Sequence, residues 1–176
     1  MNLNSFLIAG FCLSTVGTAN IAAAREIQVT IHMIDQQGIG QSLGTIKIED
    51  TNYGLLLTPN LENIPPGIHG FHVHENPNCN AGTKDGKIVP GLLAGGHYDP
   101  NNTQSHQGPY GNGHLGDLPP LIANQQGIAT LPILAPRLKE SDLQGRSLIV
   151  HFHGDNFSDI PEKLGGGGGR LACGII

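Results

Sequence analysis

Charge is scarce in this chain of 176 residues. Only 13% of positions are Asp, Glu, Lys or Arg, and the formal net charge is −5. No basic run occurs, so nothing in the chain has the electrostatic footprint of a nucleic-acid or anionic-membrane binder. Long apolar runs are missing as well. The apolar stretch 6–16 is too short to span a bilayer, and Ala22-Ala23-Ala24 follows it as an A-x-A cleavage pattern ahead of Arg25. Residues 1–24 therefore read as a secretory signal peptide, although positions 1–5 carry no Lys or Arg. The net charge is unchanged by cleavage, because no charged side chain precedes Arg25. Cysteine is sparse too. Of three cysteines, Cys12 lies in the leader, and Phe11 before it does not suit a lipoprotein site. Cys79 and Cys173 remain, and in an exported chain two cysteines most simply pair with each other.

Sustained 3.6-residue periodicity is also absent. What replaces it is period two. Ile27, Val29, Ile31 and Met33 alternate with Glu26, Gln28, Thr30 and His32, and Ile46 and Ile48 alternate with Thr45, Lys47 and Glu49. The glycine-bearing stretch 35–44 joins these two as a hairpin. Further apolar runs lie at 55–57, 68–74, 120–123, 128–135, 147–152 and 171–176, with 124–127 as a tight turn. Eight short strands predict an all-β, antiparallel sandwich or barrel with one core over 25–176. Two segments exceed what such a fold needs. One is 76–118, rich in Gly, Asn and Pro; the other is 154–169, which ends in five glycines. Loops of that length without structure of their own are usually functional or disordered, and ligands within 76–118 argue for function.

Nine histidines punctuate the chain, and six have useful spacing. On a strand His72 and His74 leave the same face, so two imidazoles emerge together. With His151 on another strand they form an all-nitrogen set that suits copper. His106, His114 and Asp117 lie on the long loop with His97 nearby, a four-donor set that suits structural zinc. An imidazole that loses both protons can bridge two cations, and His97 is the residue that links the two sets. His32, on the polar face of its strand, and His69, in a glycine-flanked turn, carry no such pattern.

The segments Gly70-Phe71-His72-Val73-His74-Glu75, Ala94-Gly95-Gly96-His97-Tyr98-Asp99-Pro100, His106-Gln107-Gly108-Pro109, Gly113-His114-Leu115-Gly116-Asp117-Leu118 and Gly169-Arg170-Leu171-Ala172-Cys173-Gly174 resemble copper/zinc superoxide dismutases. The long loop and Thr83-Lys84-Asp85-Gly86-Lys87 are similar to the exported, periplasmic bacterial branch. The resemblance implies an eight-stranded Greek-key β-sandwich or barrel with two long functional loops, and one copper and one zinc ion per subunit. Copper falls to His72, His74, His97 and His151, and zinc to His97, His106, His114 and Asp117. Asp155 matches the aspartate that links a copper-ligand imidazole to a zinc-ligand imidazole. Arg170 matches the arginine that attracts the superoxide anion.

The implied reaction is dismutation in two half-steps. One superoxide gives up an electron to Cu(II) and leaves as dioxygen; a second takes it back from Cu(I), gains two protons and leaves as hydrogen peroxide. In the family picture His97 releases reduced copper, takes a proton and delivers it. Two dications and an imidazolate bridge would bring the net charge from −5 to about −2, which softens repulsion of an anionic substrate.

The chain departs from the family at two places. Ser105 stands where many bacterial relatives have a lysine, and His153 stands where a small residue is usual. Lys84 and Lys87 are candidates to replace the missing steering charge, and His153 is either a titratable group near the copper mouth or an exposed loop residue. Two rival functions use the same donors. One is an exported copper/zinc carrier without catalysis; the other is a zinc hydrolase with Glu75 as general base. Relatives of this branch include monomers and dimers, so a homodimer stays open. Neither a nucleic-acid partner nor, after leader cleavage, a membrane is expected.

Overall fold

The computed structural model describes residues 26–176. The expected signal peptide, its cleavage site and Cys12 lie outside the described residues.

Period two becomes strand wherever the sequence alternates. β1 (Glu26–Asp35) and β2 (Gly38–Thr51) form a hairpin whose turn is only two residues long, so β2 begins inside the stretch expected to be loop. β3 (Gly54–Leu61) follows. The apolar run 68–74 divides into β4 (Gly67–His69) and β5 (Phe71–His74). The break falls at Gly70, whose N–H leaves the ladder and donates to the His153 carbonyl at 2.7 Å. β6 (Gly82–Lys84) and β7 (Lys87–Val89) make a small hairpin within the first long loop, which sequence periodicity did not reveal. β8 (Leu121–Ala123), β9 (Ile133–Ala135), β10 (Ser147–His151) and β11 (Arg170–Ile175) complete the strands, and α1 (Glu140–Leu143) is a single turn.

Seven strands form one antiparallel sheet in the order β5-β10-β11-β1-β2-β3-β9, while β4 pairs with β8 and β6 with β7. Seven of the eight expected runs lie largely on strands, and 128–135 is strand only at Ile133–Ala135 with an isolated bridge at Ala129, so the antiparallel all-β reading holds. One core gathers Val29, Ile31, Ile46, Ile48, Leu57, Phe71, Val73, Leu121, Leu148 and Val150 from both the large sheet and the β4–β8 ribbon. A second, smaller cluster of Ile34, Cys79, Ala94, Ile149 and Cys173 packs on the opposite face of the large sheet. Ile149 lies between Leu148 and Val150 in the sequence, so alternation sends it to that other face.

That second cluster fastens the first long loop to the sheet. Cys79 and Cys173 are disulfide-bonded, with Cα atoms 5.7 Å apart and a separation of 94 in sequence. Leu93 and Asn76 add backbone bonds inside the loop, to Asn80 and Ala94. Replacing both cysteines with serine should therefore cost about 4–5 kcal/mol, the chain-entropy value for closing a loop of this size. Urea unfolding of the chelator-treated pair of proteins measures it; equal midpoints would mean the crosslink contributes nothing.

Candidate metal centre

The site is built on the face of β5 that turns away from the core. Phe71 and Val73 point into the main core, so His72 and His74 point out. β5 pairs with β10 so that Ile149 lies opposite His72 and Ser147 opposite His74. His151 ends β10 on the same side, and a register shift between Val150 and His151 pairs His151 with Arg170 of β11. The long loop then lays its backbone along β5. Isolated bridges set Asp117 beside His72 and His97 beside His74. Val73 holds both strands of that loop, donating to Gly116 and accepting from Tyr98.

The donor atoms converge in two groups. His72, His74, His97 and His151 place one ligand atom each within 4.8 Å of one another, and so do His72, His97, His106 and Asp117. All are buried. His97 belongs to both groups, as the bridging idea requires. His114 stands just outside the tighter second group, with Nδ1 3.4 Å from Asp117 Oδ1. His72 stands inside it, but only one of its nitrogens is free to bind an ion.

The hydrogen bonds explain which nitrogen that is. His72 Nε2 donates to Asp155 Oδ2 at 2.7 Å, and His106 Nε2 donates to Asp155 Oδ1 at 2.8 Å, so one carboxylate orients an imidazole from each group. His74 Nδ1 donates to the Gly95 carbonyl at 3.0 Å and His151 Nδ1 to the Gly168 carbonyl at 3.2 Å. The nitrogens left without a hydrogen-bond partner are His72 Nδ1, His74 Nε2, His97 Nε2, His106 Nδ1, His114 Nδ1 and His151 Nε2. A buried polar atom without a partner is costly, and six aimed at one small region fit bound cations. Imidazoles alone in one group and imidazoles with a carboxylate in the other match copper and zinc donor chemistry respectively.

The surrounding glycines are shaped by these ligands. A Cβ on Gly165 (φ +73°) would sit 1.9 Å from Asp155 Oδ1 and 2.8 Å from His106 Nε2. Gly167 passes His151 closely enough that a Cβ would meet its side chain at 3.3 Å. Arg170 is half-buried, and its guanidinium donates to the carbonyls of Gly91 and Gly95. Glu75, the base of the hydrolase reading, instead accepts the Gly96 N–H at 2.9 Å and so holds the loop.

The residues outside the expected ligand sets sort differently. His32 only donates toward the Gly40 carbonyl. His69 was expected in a turn; it lies buried on β4, with Nδ1 2.8 Å from the carbonyl of His151 and Nε2 2.7 Å from that of Pro65. It therefore braces the backbone of a cluster histidine, a role only three-dimensional proximity reveals. His153 is exposed, with its ring packed against Gly168. Ser105 gives its carbonyl to the His114 N–H, while Lys84 and Lys87 are exposed on their hairpin.

Titration follows from burial. Desolvation first, and then the neighbouring His97, hold His72 and His74 well below the ordinary histidine value of 6.5 and bring His151 down to about 4. Burial also lowers His97. His106 goes the other way. Burial opposes its charge, but the Asp117 carboxylate 2.9 Å from Nδ1 and the Asp155 carboxylate bonded to Nε2 outweigh that and raise it to about 9. Burial works against the charged forms of Asp117 and Asp155, yet the adjacent imidazoles carry both well below the carboxylate range.

Stability of the chelated protein should therefore peak near neutrality. The lowered histidines bind protons more readily when unfolded, so their contribution disappears as pH falls below about 6.5. His106 binds its proton more tightly when folded, so its contribution is full below about 6.5 and is lost as pH rises through about 9. Melting temperatures of chelated protein between pH 4.5 and 9.5 test this. A His106→Asn variant should lose the alkaline limb, and an unchanged limb would contradict the assignment.

Known proteins share this architecture. Residues 42–176 match the family model described as copper/zinc superoxide dismutase (SODC). The chain is 50% identical over 165 residues to superoxide dismutase [Cu-Zn] 2 of Salmonella typhimurium, covering 93% of this chain and 95% of that protein. It superposes on the Cu/Zn superoxide dismutase from Brucella abortus with a TM-score of 0.85 and 52% identity, over 86% of this chain and 99% of that one. The solution structure of the monomeric copper, zinc superoxide dismutase from Salmonella enterica gives 0.78 and 52%, with the same coverage. A β-scaffold of this kind, two converging donor groups and such likeness leave one conclusion: the chain belongs to the copper/zinc superoxide dismutase family, an enzyme that dismutates superoxide and takes copper and zinc as cofactors.

Proposed function

We propose that His72, His74, His97 and His151 hold the copper, and that His97, His106, His114 and Asp117 hold the zinc. The observation that carries this is the set of six buried ring nitrogens without hydrogen-bond partners. Four of the six rings have their other nitrogen engaged by an acceptor outside the donor sets: Asp155 for His72 and His106, Gly95 for His74 and Gly168 for His151. His97 keeps its second nitrogen, Nδ1, 3.0 Å from the donor Asp117 Oδ1, as a bridge requires. His72 has only Nδ1 to offer, and its place beside His74 on β5 assigns it to copper, which leaves the fourth zinc position to His114. Copper, when bound, supplies the one-electron redox chemistry, and zinc a fixed positive charge.

The side chains do the rest. His97 belongs to both donor groups, with Nδ1 3.0 Å from Asp117 Oδ1 and Nε2 without a protein partner. Nε2 is the atom at which a proton is held and passed on toward peroxide. Asp155 fixes the planes of His72 and His106 together, so the two ion sites keep one relative orientation. Arg170 is strand-paired with His151 and anchored through the Gly91 and Gly95 carbonyls. A guanidinium there draws a small anion to the copper side of the cluster. A carrier would need no such cation, and this position favours catalysis over storage.

The same reading includes export. An A-x-A pattern ends the apolar leader, and the Cys79–Cys173 disulfide suits an oxidising compartment, so we infer cleavage after Ala24 and a periplasmic mature protein. N-terminal sequencing of the protein recovered from a bacterial periplasmic extract should begin at Arg25; an intact Met1 start in the cytoplasm would refute it.

Chelated protein reloaded with both ions should consume superoxide and carry one copper and one zinc, whereas zinc alone should leave it inactive. Full loading with no consumption would overturn the assignment. Arg170→Ala should lower kcat/KM by about tenfold or more and flatten its dependence on ionic strength. Ser105→Lys should steepen that dependence, and a slope equal to the parent's would remove the steering role assigned to this position.

A further inference from the structure

Arg137 has no part in the expected constellation, yet it makes the most extensive side-chain contact with the zinc-side loop. It follows β9 directly, between Pro136 and the buried Leu138, so its backbone belongs to the barrel frame. Its side chain reaches into the turn that separates His106 from His114. Nε donates to the Pro109 carbonyl at 2.9 Å, Nη1 to Gly113 at 3.1 Å, and Nη2 to Gly108 at 3.1 Å and to His114 at 2.5 Å. A guanidinium has five N–H donors in a rigid plane, and at least three of them are spent here on four backbone carbonyls.

Those carbonyls are chosen from both ends of one turn. Gly108 and Pro109 lie just after His106, and Gly113 and His114 close the turn. The His114 carbonyl also accepts the Asp117 N–H at 3.4 Å, and the His114 N–H donates to Ser105 at 3.0 Å. The guanidinium thus meets the backbone at the point where two zinc donors, His114 and Asp117, are joined. Beyond those two bonds the loop ties itself there by Asn112 N–H to Gln107 Oε1 at 3.2 Å, Gln107 N–H to Asp117 Oδ2 at 3.3 Å and Gln107 Nε2 to Ser105 Oγ at 3.0 Å, none of which reaches the barrel frame. Clustered carbonyl oxygens repel one another, and a cation at their centre removes that cost.

We infer that Arg137 is a positioning residue for zinc: it chelates the 108–114 turn and presents His114 and Asp117 in binding geometry before the ion arrives. The inference rests on the zinc assignment proposed above. It also separates the two ions. Copper's donors come from β5, β10 and the 94–97 segment, none of which Arg137 touches.

Lysine keeps the charge but offers a single ammonium, which cannot span four carbonyls. Competition of chelated Arg137→Lys protein against a chromophoric zinc chelator should show zinc affinity about 10–100-fold weaker than the parent's, with copper affinity within about threefold. Amide exchange over 108–114 in the metal-free variant should be faster than in the metal-free parent. Unchanged zinc affinity overturns the inference, and so does an equal loss for both ions, which would mean a general loss of structure. If the lysine variant does not fold, the parent decides. An Arg137 Nε–H protected from solvent exchange before zinc is added supports pre-organisation, and a freely exchanging one overturns it. A parent that binds copper but no zinc would instead overturn the zinc assignment, and the inference with it.

Discussion

Strict alternation along β5 is the constraint on which the site depends. Phe71 and Val73 are fully buried in the main core, and moving the strand by one residue would exchange them for His72 and His74. Burial of two large apolar side chains therefore fixes the direction of two imidazoles. Each side chain of this size is worth roughly 1.5–3 kcal/mol when removed from water, enough to keep the register against the cost of crowding histidines on the other face. Pairing with β10 then brings His151 alongside, and the β10–β11 register brings Arg170 beside His151. Half of the centre is thus a by-product of packing a sheet.

The other half lies on loops, which have no such register to rely on. They are held instead by a series of point attachments. The disulfide ties the start of the first loop to β11, Glu75 holds Gly96, and Val73 holds Gly116 and Tyr98. Arg137 holds the 108–114 turn from the far side. Asp155, on the second loop, joins the halves by bonding one imidazole from each. Asp159 on the same loop accepts the His106 N–H at 2.8 Å, so the second loop grips the first at the backbone as well. Burial and the neighbouring His97 outweigh the single carboxylate, Asp155, that faces His72, whereas Asp155 and Asp117 together outweigh burial at His106, so the two titrate in opposite senses.

Much of this was legible in the sequence because it follows from period and spacing. The alternating and apolar runs are strands except for the first part of 128–135, and the histidines that share a strand face or a loop are the ones that converge. What stayed hidden depends on contacts between residues remote in sequence. Arg137 gives no signal beyond being an arginine after a proline, because its partners are carbonyls, which every residue has. His69 looked like a turn residue because the carbonyls of His151 and Pro65 meet it only in the folded chain. The β6–β7 hairpin escaped because three-residue strands are too short to display alternation.

The five glycines at 165–169 read as a monotonous tract, but their positions are not equivalent. At Gly165 a single methyl group would collide with Asp155, whereas at Gly166 the nearest atom, on Glu162, lies at an ordinary 3.5 Å. A tract one glycine longer or shorter would look the same in sequence. The protein would not register that as neutral. One glycine more or fewer displaces either the approach to Asp155 or the passage beside His151, so the tract's length matters more to the site than its composition suggests.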